Sequence, residues 1–300
     1  MKNSVRHHYI PQCLIKNFLN ENDETFVYDK ITNKYYETSS HNLFLENNRN
    51  TFEGNDNIEK MYSYFDNFFG PVLKNVADSG VLGEKDLDML LFIAYSTKWR
   101  VPQYDESFND AKNYFSFEDL KIRLEENDVR VEYFIDPIKD KEEYQEMKRI
   151  LLAAQTFRYK DNYNKIYKNS FLIHTQYPAL LGDCPFNELQ MESDIVFEDF
   201  IFPISNDLTL VHMGRIKKDE LNHFLQNNDP SLFLELFSTF RDLGTIFLAT
   251  RTVCCSDKDY LKKMIDHYNK VKDMDTFKGK LSSYIFNVLY NFNNLEQYIK

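Results

Sequence analysis

The sequence predicts an α+β fold that is predominantly helical, with an N-terminal β-hairpin and a small antiparallel or mixed sheet in the second half. Apolar residues recur with helical period through much of the first half, whereas short β-favouring runs gather after residue 170. Only 8 glycines occur in 300 residues, and no Pro/Gly/Ser-rich linker interrupts the chain. A single domain spanning 1–300 is therefore predicted, with a soft division near 140–170.

The N-terminal part of the chain predicts one short helix and a hairpin. Pro11 suits the first position of a helix, and the apolar residues that follow it share one helical face. The β-favouring runs at 26–28 and 35–38 flank a turn that contains Thr32 and Asn33. We therefore expect a helix from Pro11 and a β-hairpin after it.

The middle of the chain predicts mainly helices. From Asn57 the apolar residues follow the helical period, and Gly70-Pro71 predicts a kink or a split. The next helix is apolar at its centre and basic at its end, and Pro102 marks its boundary. The predicted elements are a helix from 57, helices at 83–100, 105–126 and about 141–167, and a strand at 129–135.

The second half predicts strands interspersed with helices. Strands are expected where β-branched and aromatic residues are dense, at 170–175, 179–182, 200–204, 208–213 and 245–253. Helices are expected where the helical period returns, at 216–226, 231–241, 257–272 and about 280–298.

Composition excludes several classes of protein. The formal net charge of −11 argues against a broad phosphate-binding surface, although it leaves room for a local basic groove. No apolar stretch is long enough to span a membrane, and no apolar segment of a signal peptide follows Met1. The four cysteines have no metal-ligand spacing, and there is no Walker loop, GxGxxG, GxSxG or HExxH motif. These features predict a cytoplasmic protein without membrane partners and leave its oligomeric state open.

Two adjacent histidines stand just before the first predicted helix, in the segment Arg6-His7-His8-Tyr9. On an extended backbone His7 and His8 face opposite sides, so one faces the interior and the other faces solvent or a cleft. An imidazole in a cleft suits a general base or a metal ligand. The alternative is a histidine that hydrogen-bonds to the backbone at the start of a helix, and the residue types alone leave both interpretations open.

Carboxylates occur at two further places that suit a site. Glu59 and Asp66 lie two helical turns apart on one predicted helix, and paired carboxylates with a histidine suit Mg²⁺ or Mn²⁺. Asp183 lies where a strand should end, just before the turn at Pro185. Active-site carboxylates are frequent at such positions, but so are ordinary turn residues, and Glu59 and Asp66 are equally compatible with an exposed acidic surface.

A basic and aromatic helix is predicted between Arg158 and Lys168. Tyr159, Tyr163 and Tyr167 follow one another at helical spacing and form a single stripe. Such a surface can stack bases and hold phosphates of a nucleic acid. The same stripe is also typical of an amphipathic helix that buries its tyrosines and leaves the phenol oxygens at the rim.

The chain resembles a large, mainly bacterial family of functionally uncharacterised proteins. That family usually begins with His-Tyr-x-Pro-Gln, continues with Leu and Asn-Phe, and then has a strand that ends in Tyr-Asp-Lys. The matching residues are His8, Tyr9, Pro11, Gln12, Leu14, Asn17, Phe18, Tyr28, Asp29 and Lys30, followed by Glu59, Arg100, Pro102, Asp183 and Pro185. The resemblance spans nearly the whole chain and implies one full-length unit, although Gly182 and Cys184 depart from the pattern. It also implies that His8 with Gln12, Arg100 and Asp183 recur together, and polar residues that gather in one cleft are typical of catalysis.

These residues predict a metal-assisted hydrolase, a nuclease that acts in bacterial defence or as a toxin-like effector. His8 is the predicted base or metal ligand, Glu59 and Asp183 the ligands of Mg²⁺ or Mn²⁺, Arg100 the phosphate clamp, and Gln12 the residue that orients His8 or the substrate. The alternative is a non-enzymatic protein-binding or inhibitory module whose acidic surface faces a basic partner. Convergence of His8, Arg100 and Asp183 on a pocket favours the enzyme, and burial in a dry core favours the module.

Overall fold

The computed structural model of the chain describes residues 5–112, 125–126, 129–130, 142–154, 163–189, 199–214 and 218–294. Within these ranges, helices combine with antiparallel sheets in the predicted α+β architecture. The predictions at 113–124, 131–141 and 155–162 lie outside the described residues.

The N-terminal segment forms two antiparallel strand pairs. Its elements are β1 (Arg6–His8), α1 (Gln12–Ile15), β2 (Thr25–Asp29), β3 (Lys34–Thr38) and β4 (Leu45–Asn47). β1 pairs with β4, and β2 pairs with β3 through a turn in which Asn33 has a left-handed φ of 55°. The predicted helix and hairpin are confirmed, whereas the pairing of β1 with β4 was not predicted.

Three helices follow, α2 (Asn57–Ser79), α3 (Glu84–Arg100) and α4 (Asp105–Ala111). Of the kink or split predicted at Gly70-Pro71, the split is wrong, because α2 continues through Pro71. Pro71 lies on the exposed side of α2, where water can bond to the carbonyl group that the proline leaves without a donor. α3 is buried along most of its second half.

Between α4 and the second half, the elements are β5 (Glu125–Glu126), β6 (Val129–Arg130), α5 (Glu142–Ala154) and α6 (Tyr163–Asn169). β5 and β6 pair with each other, so the helix predicted over 105–126 is wrong at its end. The strand predicted from Val129 is confirmed at its first two residues. The helix predicted over 141–167 is confirmed in two parts, α5 and α6.

The strands of the second half are β7 (Ser170–His174), β8 (Leu181–Gly182), β9 (Asn187–Glu188), β10 (Phe200–Pro203), β11 (Leu208–His212) and β12 (Thr252–Cys255). One antiparallel sheet has the order β7-β11-β10-β9. The other has the order β3-β2-β12-β8, so the N-terminal hairpin joins a strand from near residue 250. The antiparallel sheets of the second half are therefore confirmed.

The C-terminal helices are α7 (Lys218–Asn227), α8 (Ser231–Leu248), α9 (Lys258–Val271), α10 (Asp275–Lys278) and α11 (Leu281–Tyr290). The strand predicted over 245–253 is wrong, because 245–248 complete α8 and the strand begins at Thr252. Thr245 and Ile246 are buried on the inner face of α8, and the Thr245 hydroxyl, which would be unsatisfied in the core, donates to the Arg241 carbonyl. No helix in the described ranges is long and apolar enough to cross a membrane.

Candidate functional site

The adjacent histidines of β1 face opposite sides, as the extended backbone predicts. His7 is fully buried, and its Nδ1 accepts a hydrogen bond of 2.9 Å from the Asn50 backbone amide. His8 is only partly buried and faces the other side of the strand. His7 therefore holds the chain after β4, while His8 remains open to solvent.

His8 belongs to a cluster of two imidazoles that share one carboxamide, which we call the imidazole cluster (His8, Gln12 and His41). The Gln12 side-chain nitrogen lies 3.1 Å from His8 Nε2 and 3.2 Å from His41 Nδ1. α1 presents Gln12, and the 3₁₀ turn Ser40–Asn42 presents the exposed His41. Arg6 fixes that turn, because its Nη2 donates to the His41 carbonyl at 2.8 Å and to Asn42 Oδ1 at 2.9 Å.

The surroundings of His8 keep its imidazole neutral. The pKa of His8 is lowered to about 4, chiefly by burial and also by the positive charges of Arg100 and Arg6, although a hydrogen bond to the Ser40 backbone opposes the shift. At neutral pH the ring therefore carries a free lone pair. The Gln12 side-chain nitrogen lies against the ring, 3.1 Å from Nε2 and 3.4 Å from Nδ1.

Arg100 lies directly behind His8 but does not reach the surface. Its guanidinium is 3% exposed and pairs with Asp66 through an Nη1–Oδ1 distance of 2.7 Å. It also stacks over the Tyr62 ring at 4.3 Å. Nη2 donates to the His8 carbonyl at 2.9 Å, so Arg100 holds the main chain of the site rather than its open face.

Asp183 occupies a position where hydrogen bonds surround its carboxylate. Oδ1 accepts from the Thr250 amide at 2.9 Å and from the Gln103 side chain at 3.0 Å. Oδ2 accepts from the Arg251 and Thr252 amides at 2.8 Å and 3.0 Å, and from the Thr250 hydroxyl at 3.1 Å. Asp183 is 2% exposed, so it clamps the loop that leads into β12.

The predicted site residues therefore divide into two groups. The structure brings His8, Gln12 and Arg100 together at β1 and α1. Within the described part of the chain, no hydrogen bond or ion pair joins Asp183 to them. Tyr9, the residue after His8, lies between the two groups. Its pKa is raised first by burial and then by the negative charge of the nearby Asp183.

Glu59 lies on the opposite side of β1 from His8. Its Oε2 accepts from the Asn50 side chain at 2.7 Å and lies 3.9 Å from His7 Nδ1. It also lines an open groove of about 380 Å³ with Asp56, Lys60, Ser63, Tyr64 and Asn67. Among the residues that the structure describes, no three histidine, cysteine, aspartate or glutamate side chains are grouped to hold a metal ion.

The predicted basic and aromatic helix lies partly outside the described residues. α6 covers its end, where Ile166 is buried and Lys168 is exposed. The Tyr167 hydroxyl donates to the Leu82 carbonyl at 3.2 Å, so this tyrosine packs inward with its phenol at the rim.

Sequence reasoning missed His41. It lies 33 residues after His8 in a segment without periodicity, and only the pairing of β1 with β4 and the turn before β4 bring it to Gln12. The available signal was its residue type, since His41 is one of only seven histidines.

Residues 6–271 match the family model described as "Protein of unknown function (DUF4238)", and the chain belongs to that family. The search of the curated proteins and the search of the solved structures found no match.

Proposed function

We propose that this chain is a hydrolase of the nuclease class with His8 as its general base. The observation that carries the proposal is the imidazole cluster, where Gln12 holds a neutral, partly buried His8 near the exposed guanidinium of Arg6. A neutral imidazole accepts a proton from an attacking hydroxyl group, and a guanidinium stabilises charge that develops on a phosphate. Gln12 orients His8 in the free protein and gives way to substrate.

In this proposal Arg100 and Asp183 are positioning residues. Arg100 is paired with Asp66 and bonds to the His8 carbonyl, so it fixes the backbone that carries the base. Asp183 accepts five internal hydrogen bonds and holds the approach to β12. Both therefore act on the site through other residues.

A common Mg²⁺ or Mn²⁺ ion does not fit His8, Glu59 and Asp183. Both oxygens of Asp183 already accept hydrogen bonds, and Glu59 Oε2 accepts from Asn50 on the far side of β1. No step of the proposed reaction passes through a metal ion at these residues. The dependence on Mg²⁺ or Mn²⁺ stays a prediction, and the assay below tests it.

The proposal is tested with purified full-length protein and labelled single-stranded and double-stranded RNA and DNA. Each substrate is incubated with chelator, with Mg²⁺ and with Mn²⁺. We expect cleavage of at least one nucleic acid, and a loss of about 100-fold or more in the His8→Gln variant. The matched control is His223→Gln, an exposed histidine on α7, which should cleave as the unchanged protein does.

Two results would contradict the proposal. One is that every nucleic acid stays intact under all three ion conditions. The other is that His8→Gln, with an unchanged circular dichroism spectrum and melting temperature, cleaves as fast as His223→Gln.

A non-enzymatic binding or inhibitory module is the second candidate. It is favoured by the burial of two charged side chains with partners inside the protein: Arg100 is ion-paired with Asp66, and Asp183 accepts backbone hydrogen bonds. The proposed setting for either activity is the cytoplasm of a bacterium, in defence or toxin-like inhibition.

Induced expression in a bacterial host separates the nuclease from the binding module. The nuclease predicts growth arrest that His8→Gln relieves, whereas the module predicts equal arrest by the unchanged protein and by His8→Gln.

A further inference from the structure

We infer that this chain forms a homodimer in which the exposed face of α2 packs antiparallel against the same face of a second copy. The inference goes beyond the proposed function and does not depend on it. It comes from two exposed aromatic rings on α2, and from side chains that find matching partners when the helix is rotated about a twofold axis.

α2 has a buried side and an exposed side that face in opposite directions. The buried side chains are Ile58, Tyr62, Phe69, Leu73 and Val76. The exposed side, which we call the outer face, carries Lys60, Tyr64, Phe68, Pro71, Lys74 and Asp78. At 3.6 residues per turn, these six lie within about 120° of one another around the helix and extend over about 27 Å along it. α2 therefore presents one continuous outer face rather than scattered exposed residues.

The middle of the outer face is apolar. Tyr64 and Phe68 are 61% and 50% exposed, and their rings form an edge contact with centroids 4.9 Å apart. Pro71 continues this surface toward the C-terminus of the helix. Charged side chains follow at both ends, Lys60 before the apolar residues and Asp78 after them. An apolar centre with a charged rim is the layout of a protein–protein interface.

The charges of the outer face match those of a second copy in one antiparallel register. Lys60 lies nine residues before residue 69, and Asp78 lies nine residues after it. Two α2 helices packed antiparallel with residue 69 at the centre therefore place Lys60 of each copy opposite Asp78 of the other, which gives two ion pairs. Lys60 Nζ also lies 2.6 Å from Asp56 Oδ1 within its own chain, and an ammonium group has three donors, so it can bond to both carboxylates.

The aromatic side of the outer face matches itself. A twofold axis that relates antiparallel helices keeps each side of the helix on the same side of the dimer. Tyr64 and Phe68 lie on one side of the outer face, and Phe68 is next to the centre, so the two copies bring their Phe68 rings together. Paired aromatic rings add to the stability that their buried area supplies.

Lys74 lies on the other side of the outer face, which is the side of the groove beside Glu59. This groove of about 380 Å³ runs along α2 from Asp56 to Asn67 and contains the carboxylates of Asp56 and Glu59. In the register centred on residue 69, Lys74 falls opposite Tyr64 of the second copy, which lines the groove. Its ammonium group therefore faces a groove that holds two carboxylates and one lysine, so the charges are complementary.

These matches identify the occupant of the outer face as a second copy of this chain. An unrelated partner needs no correspondence between the two halves of α2, whereas a twofold dimer requires that each half complement the other. The contact covers one helix per copy, and stable interfaces bury about 1,200 Å² or more in total. We therefore expect a reversible dimer with a dissociation constant in the micromolar range.

The first experiment measures self-association of the full-length protein by sedimentation velocity between about 1 µM and about 200 µM, a range that covers weak interfaces. We expect the weight-average sedimentation coefficient to rise from that of one chain toward that of a dimer. Phe68→Glu should weaken the dimer by about tenfold or more, because it brings two carboxylates together at the apolar centre. The matched control is Ile31→Glu, an apolar residue that is 69% exposed in the hairpin turn, and it should associate as the unchanged protein does.

The second experiment tests the register with charge reversals at exposed positions, which leave the fold intact. Lys60→Glu faces Asp78 of its second copy, and Asp78→Lys faces Lys60, so each variant alone should dimerise about tenfold more weakly. A mixture of the two variants should restore a dimer with one copy of each, because every charge then faces its opposite. Fluorescently labelled Lys60→Glu should therefore bind Asp78→Lys about fivefold more tightly than it binds Asp266→Lys, which has the same net charge but carries its reversal on α9.

Three results would overturn the inference. One is a single chain at every concentration. Another is a dimer that Phe68→Glu leaves as tight as Ile31→Glu does, since the contact then lies elsewhere. The third is equal binding of labelled Lys60→Glu to Asp78→Lys and to Asp266→Lys, since the register is then wrong. If Phe68→Glu lowers the melting temperature, the charge reversals decide the question alone.

Discussion

The sequence predicted His8 and Asp183 together as site residues, yet their side chains do different things. The carboxylate of Asp183 is surrounded by five donors and is 2% exposed. His8 is partly buried, and Gln12 is the residue whose side chain contacts its ring among the described hydrogen bonds. A polar side chain whose atoms are already bonded inside the protein serves the fold, whereas one held by a movable neighbour can serve a substrate.

The surroundings of Asp183 predict a large effect of Asp183→Asn on stability. Asparagine replaces one carboxylate oxygen with an NH₂ group, which is itself a donor. This group then faces either the backbone amides of Arg251 and Thr252 or the donors of Thr250, so buried donors lose their acceptor. We expect the free energy of unfolding to fall by about 3 kcal/mol, as measured by urea denaturation. Asp266→Asn, an exposed position on α9, should change it by less than about 0.5 kcal/mol. Equal stability of the two variants would contradict the structural role of Asp183.

The sequence analysis named two of the three members of the imidazole cluster, His8 and Gln12. Alternation along an extended strand was enough to place the two histidines on opposite sides, and the structure shows that His7 is the buried one. His41 was missed because its approach to Gln12 depends on a strand pair whose partners are 37 or more residues apart in sequence. Arg100 and Asp183 were identified by residue type. The different residues that each of them bonds to inside the protein are brought close only by the fold.

The hairpin of β2 and β3 shows why Tyr28-Asp29-Lys30 stands at the end of its first strand. Asp29 Oδ1 accepts from the backbone amides of Ile31 and Thr32 at 2.9 Å each, so it shapes the turn. Lys30 Nζ donates to the carbonyls of Ile246 and Ala249 at the end of α8. The hairpin therefore supplies a positive charge at the C-terminus of a long helix, where the helix dipole is negative.

This contact predicts that Lys30→Met loosens α8. Burial lowers the pKa of Lys30, and its ammonium group is bonded to carbonyls near the helix end, so methionine removes charge-assisted hydrogen bonds while it keeps most of the apolar stem. We expect a loss of about 1–2 kcal/mol in the free energy of unfolding, measured by urea denaturation. The control is Lys34→Met, an exposed position on β3. No difference between the two variants would contradict the capping role.

Elements with a clear period were predicted well, and elements set by tertiary context were not. α2 and α9 follow an apolar stripe, α3 is buried on all sides at its centre, and β7 and β11 are dense in β-favouring residues. The run at 245–253 contains the same β-favouring residues, but the inner face of α8 needs Ile246 for burial and so extends the helix to Leu248. Short strands such as β4 and β9 have no pattern of their own, because three and two residues are too few for a period.

At the scale of the whole molecule, the sheet β3-β2-β12-β8 joins the N-terminal hairpin to strands that lie far along the chain. β12 pairs with β2 from Thr252↔Asp29 to Cys255↔Phe26, and the Thr25 hydroxyl donates to the Cys255 carbonyl at 2.9 Å. The largest core cluster likewise contains Leu14 and Phe18 from the N-terminal segment together with residues of β10 and β11. The N-terminal hairpin therefore cannot keep its buried face without the C-terminal half.

This closure predicts one cooperative unfolding transition rather than two separated by the soft division near 140–170. Trp99 is the single tryptophan and reports on α3, whereas the buried thiols of Cys254 and Cys255 report on β12. Their pKa values are raised by burial, so both thiols react with a disulfide reagent only after β12 opens. In urea, the loss of native Trp99 fluorescence and the exposure of these thiols should share one midpoint, measured in a Cys13→Ser, Cys184→Ser background that keeps only the two cysteines of β12. Thiol exposure at a clearly lower urea concentration than the fluorescence change would instead indicate two units, because β12 would then open while α3 is still folded.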